Sequence, residues 1–129
     1  MKKNKNPIEA RADFDIFETI QGPPFKPTGP ITVSDIQKTS ATIEWKPPQS
    51  DGGLPLKGYV VELKEARKTM WKKVDKLTPD ITTLCIQNLN ENAEYYFRVF
   101  AENSAGFSEP LEMDKTVLIK SPFGKIRVQ

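Results

Sequence analysis

The stretch from Trp45 to Glu62 constrains the fold more than any other: two alternating apolar–polar runs flank a turn built from Pro47-Pro48 and Asp51-Gly52-Gly53. Alternation with a period of two is the pattern of a strand that buries one face. Prolines cannot donate to a ladder, and glycines reach backbone angles that other residues avoid, so the residues between the runs reverse the chain. Nothing in the turn suits covalent chemistry. A lone Asp51 supplies too few oxygens for calcium, so the two glycines read as turn geometry rather than as a cation loop.

The same pattern recurs along the chain. Ile31, Val33 and Ile36 mark a Pro-interrupted edge strand; Ala41, Ile43 and Trp45 mark a half-buried second; Tyr59, Val61 and Leu63 share one face of a third. Shorter strands are predicted at Trp71–Val74 and around Leu84 and Ile86. The clearest alternation sets Tyr95, Phe97, Val99 and Ala101 against Tyr96, Arg98, Phe100 and Glu102. Asn103-Ser104-Ala105-Gly106 turns, and a last strand is predicted over about Leu111 to Ile119. Seven short strands with no convincing helix among them predict an all-β, seven-stranded antiparallel sandwich of immunoglobulin-like type.

At 129 residues and 37% apolar, the chain can fill one sandwich core but not two. The breaker cluster Gly22–Pro30 places the domain boundary, giving a leader over 1–22, a module over 23–120 and a linker over 121–129. Within the leader, Asn6-Pro7-Ile8-Glu9 resembles a helix start, and Ile8, Ala12, Ile16 and Ile20 recur every four residues. Phe14, Ile16 and Ile20 fit a period of two equally well, and a disordered leader is the third reading. Deleting 1–22 is expected to change stability little.

Composition removes whole classes of function. With 19 basic against 17 acidic residues, a net charge of +2 offers no clustered footprint for nucleic acid. No apolar run approaches the roughly 20 residues that span a bilayer, and the basic opening Met1-Lys2-Lys3 has no apolar stretch behind it. The chain has no histidine and one cysteine, so it lacks a transition-metal ligand set and an imidazole base. No catalytic residue, metal or cofactor is expected. None of the six asparagines opens an Asn-x-Ser/Thr acceptor, and Cys85 has no partner for a disulfide, which favours a reducing, intracellular compartment. Cys85 lies between Leu84 and Ile86, so alternation turns it away from the core as an inert thiol, with no adjoining basic cluster to activate it.

These residues resemble a fibronectin type III domain over about 23–120. Trp45 stands where that family buries a second-strand tryptophan, and Leu89 through Tyr95 is similar to its tyrosine corner. Asn92 stands where the family often has glycine, and asparagine tolerates positive φ. By the resemblance, removing the Tyr95 hydroxyl leaves a buried acceptor unpaired. Narrower likenesses follow in order: the Pro-Pro and Asp51-Gly52-Gly53 turn, Gly58-Tyr59-x-Val61-Glu62, Phe97 through Asn103 with Gly106, Ser108 and Pro110, and Val117-Leu118-Ile119-Lys120-x-Pro122. Together they are similar to the fibronectin type III domains of the giant sarcomeric proteins of the titin, twitchin and myosin-binding protein C type. The resemblance implies a cytoplasmic, sarcomeric spacer and docking module, monomeric in isolation. Its partners would be neighbouring immunoglobulin or fibronectin domains and thick-filament proteins. The alternative is an extracellular adhesion or receptor module of the same fold.

The expected core is Trp45, Tyr59, Val61, Leu89, Tyr95, Phe97 and Val99. The opposite face of the same sheet presents Val60, Glu62, Trp71, Tyr96, Arg98 and Phe100, with Arg98 expected to lie across Trp71. That face reads either as a protein-contact surface, with Val60, Trp71, Tyr96, Arg98 and Phe100 as the contacts, or as cross-strand packing that stiffens the sheet. Six basic residues between Lys64 and Lys76 read as a solvated hairpin, or as a contact for an acidic filament surface or kinase tail.

Overall fold

The computed structural model describes residues 20–123. Its elements are β1 (Thr28–Ser34), β2 (Ala41–Lys46), β3 (Gly58–Glu65), β4 (Lys72–Leu77), β5 (Thr83–Ile86), β6 (Glu94–Asn103), β7 (Gly106–Phe107), β8 (Leu111–Glu112) and β9 (Val117–Leu118). All pairings are antiparallel. One sheet runs β1-β2-β5; the other runs β4-β3-β6-β7, with β8 and β9 also on β6. No helix occurs among the described residues, and the helix considered for the leader falls on residues outside them.

Alternation determines which side chains meet between the sheets. Along β6, Tyr95, Phe97, Val99 and Ala101 are buried while Tyr96, Arg98, Phe100 and Glu102 are only half-buried. β2 sends Ala41, Ile43 and Trp45 inward, and Tyr59, Val61, Ile86 and Leu89 complete the layer. Trp45 meets Tyr59 edge-on, with centroids 5.6 Å apart and planes at 70°, a favoured quadrupole arrangement.

The corner between the sheets is held as the resemblance implies, with one correction. The Asn90 amide donates to the Tyr95 hydroxyl at 2.9 Å. The phenol therefore accepts, and its removal strands a donor, not an acceptor. An unsatisfied group of this kind costs about 1–3 kcal/mol. Asn92 has φ of 69°, inside the left-handed region where asparagine is the best substitute for glycine.

The last strand departs from expectation. A continuous strand over Leu111–Ile119 is replaced by two two-residue pieces, β8 and β9, and a third such piece, β7, comes before them where the sequence predicts a turn; all three lie along β6. Ser108 separates β7 from β8: its Oγ accepts the Ala101 amide at 2.9 Å and donates to the Glu109 carbonyl at 2.7 Å. A side chain thus occupies the place of a ladder carbonyl, and Pro110 follows with no amide to offer. Edge strand β1 is interrupted as predicted, its register shifting between Thr28 and Thr32 around Pro30.

The chain reaches β6 from one end and leaves it at the other. Asn103, at the C-terminal end of β6, donates to the Gly22 carbonyl at 2.8 Å. Beyond its other end, Ile119 exchanges backbone bonds with Asn92 and Ala93. The ten residues of β6, at about 3.3 Å each, separate these points by roughly 30 Å.

Candidate functional site

The outward face of the β4-β3-β6 sheet carries the side chains singled out above, and strand register brings them together. Glu62 lies opposite Arg98, Lys64 opposite Tyr96, and Val60 opposite Phe100. Trp71, immediately before β4, lies over the same face. The Arg98 guanidinium carbon sits 4.0 Å from the Trp71 ring centroid and 5.1 Å from that of Phe100. Lys64 Nζ lies 4.9 Å from the Tyr96 centroid and 5.8 Å from that of Trp71. Phe107 extends the row, meeting Phe100 at 6.3 Å and 73°. The result is a ladder in which cations and rings alternate across the strands.

The ladder neutralises its own charge. Glu62 Oε1 accepts from Arg98 Nε at 2.9 Å and from Nη2 at 2.7 Å. Glu112 Oε2 stands 3.6 Å from Nη1. Lys64 also donates to the Lys68 carbonyl at 3.0 Å. The Arg98 and Glu62 side chains are 21% and 22% exposed, so solvent screens the pair only in part and the interaction exceeds that of an open surface pair. Each cation–π contact adds about 0.5–1 kcal/mol. Cross-strand stiffening is therefore a property this face has on its own, with or without a partner.

One contact residue needs correction. Val60 points to this face but is only 6% exposed, too little for a contact surface. It sits on a central strand between Phe100 on β6 and Lys76 on β4, and a short branched side chain between two long ones is covered. Trp71, Tyr96, Arg98 and Phe100 remain partly accessible. Phe107 (53% exposed) and Met70 (77%) are more open than any of them, and sequence reasoning passed over both. Phe107 follows a glycine turn and Met70 sits in a hairpin loop, so neither belongs to an alternating run.

The basic hairpin is partly committed internally. Lys64 is in the ladder, Lys68 stands 3.6 Å from Glu65, and Lys76 stands 3.5 Å from Glu102. Arg67, Lys72 and Lys73 are exposed. Cys85 is exposed on β5, as alternation requires. A concavity of about 300 Å³ beside Glu65, Arg67, Glu91 and Glu94 sets carboxylates around one arginine without a nucleophile. Among the described residues no group of three or more His, Cys, Asp or Glu is placed to hold a metal.

Two facing antiparallel sheets, a tyrosine corner and a self-satisfied outer face define a β-sandwich module of the immunoglobulin-like class. The fibronectin type III domain model matches residues 25–114, and the chain belongs to that family. It is 38% identical over 99 residues to titin of Drosophila melanogaster, covering 77% of this chain and, to the nearest per cent, 0% of that protein. It is 33% identical over 106 residues to myosin-binding protein H of Homo sapiens, covering 79% of this chain and 22% of that protein. A solved structure of the twitchin kinase region from C. elegans superimposes with a TM-score of 0.71 at 32% identity, covering 83% of this chain and 18% of that one. The chain thus spans less than a quarter of each curated relative it is similar to here.

Proposed function

We propose that residues 23–120 are one bead in a tandem array of a titin-like muscle protein in the cytoplasm of the sarcomere, with 121–129 as the linker onward. The bead sets spacing between its neighbours and presents the ladder face to adjoining immunoglobulin or fibronectin modules or to thick-filament proteins. It works as a monomer, without catalysis, metal or cofactor. The observation that carries this reading is the chain path: arrival and departure are bonded to opposite ends of β6. A pull on the two ends is then borne along the strands, across ladders that resist through many backbone bonds at once. The similarity to titin and to a myosin-binding protein supplies the setting.

The test is to stretch the full chain from both termini in an optical trap. The expected trace shows one cooperative rupture that releases roughly 300 Å, the extended length of about a hundred residues less the folded span. Smooth lengthening with no rupture would overturn the spacer reading.

A further inference from the structure

Residues 20–27 approach β1 along a path that the rest of the module has been shaped to receive. The Gly22 amide donates to the Gly52 carbonyl and the Phe25 amide to the Ser50 carbonyl, each at 3.0 Å. Pro24 and Pro27 are buried while Phe25 and Lys26 between them are exposed, the three-residue period of a polyproline II segment lying on a surface.

Two loops form the seat. Gly52 and Gly53 have φ of 77° and 84°. A Cβ on Gly52 would stand 2.2 Å from the Gly22 carbonyl oxygen and 2.6 Å from that of Pro23, and one on Gly53 would stand 2.9 Å from that of Ile20. These glycines therefore do more than turn the chain: they leave room for a second backbone. Asn103 is 1% exposed and ties three segments together. Its Nδ2 donates to Gly22 O at 2.8 Å and to Asp51 O at 2.7 Å, while its Oδ1 accepts the Ala105 amide at 2.8 Å. A buried amide with its donors and acceptor all engaged fixes geometry, because any displacement leaves a polar group unpaired.

We infer that residues 20–25 are a strap, latched by Asn103 onto the β2–β3 loop and the β6–β7 turn, which fixes the direction in which the chain leaves the module at this end. The inference rests on the tandem-array reading for its purpose but not for its test. In an array, the heading of the chain at residue 20 is then set by loops of this module, and not only by the stiffness of the prolines that follow it. The strap is also a separable unit, held by few bonds outside the core, so it opens at lower free energy than β6 does.

Amide hydrogen exchange on the full chain tests this. The Gly22 and Phe25 amides are expected to exchange at least ~100-fold slower than in an unstructured chain, yet faster than the Val99 amide in β6. In Asn103→Ala, and separately in Gly52→Ala, protection at residues 22 and 25 is expected to fall ~10-fold or more while Val99 stays the better protected. Unprotected Gly22 and Phe25 amides in the unaltered chain would overturn the strap. So would Gly22 and Phe25 amides that exchange as slowly as Val99 in the unaltered chain, which would make the segment part of the core unit. Either result leaves the rupture experiment to judge the array reading by itself.

Discussion

Tyr59 is fully buried, and its hydroxyl finds no hydrogen-bond partner among the described residues. Burial pushes its phenol above the ordinary value, because an apolar surround disfavours the phenolate. In the unfolded chain the group ionises near pH ~10, so above that the folded state holds more protons and stability falls as pH rises. Tyr59→Phe is expected to leave stability at pH 7 unchanged, or raised by up to about 1 kcal/mol, and to flatten the decline above pH ~10. Urea unfolding across pH 8–11 measures both. A variant that declines as steeply as the unaltered chain would show that Tyr59 is not the titrating group. At this scale the sequence was informative wherever alternation operated: it placed Arg98 over Trp71 and Trp45 in the core. It was blind to Val60, whose covering comes from neighbours on two other strands, and to Asn103, whose partners lie 81 and 52 residues away.

Elements were legible where period and turn chemistry agreed, as in β2, β3 and β6. They failed where side chains entered the ladder. No pattern around Gly106–Pro110 announces that Ser108 Oγ will replace a backbone partner. Gly58 is a second case, since its need for glycine comes from a neighbouring strand and not from a turn. Its φ is 148°, and a Cβ there would stand 1.9 Å from the Leu77 carbonyl oxygen, backbone that cannot yield without breaking β3–β4 pairing. Gly58→Ala is expected to cost ~3 kcal/mol or more, whereas Gly22→Ala, with nothing within 4 Å of the added carbon, should stay within ~0.5 kcal/mol. Thermal melts of the two variants side by side decide it; equal midpoints would mean that β4 shifts freely to make room.

For the molecule as a whole, the sandwich was readable but the docking of its leading end was not. A leader over 1–22 with little effect on stability is an expectation the structure changes at its last residue, because Gly22 is bonded to both Gly52 and Asn103. A chain beginning at Ile20 is therefore expected to melt above one beginning at Pro23. Leaving the Asn103 amide short of a partner costs about 1–3 kcal/mol, and each kcal/mol shifts the midpoint of a domain this size by roughly 4–8 °C. Coincident melts would return Gly22 to the leader. In the tandem array proposed above, the broken strand along β6 has a bearing of its own. Adjacent copies of one fold, tethered at millimolar effective concentration, are prone to fuse along bare sheet margins. Here one margin of the larger sheet is chopped into two-residue pieces and the other, β4, is studded with Lys72, Lys73 and Lys76, so neither offers a template on which a neighbour could misassemble.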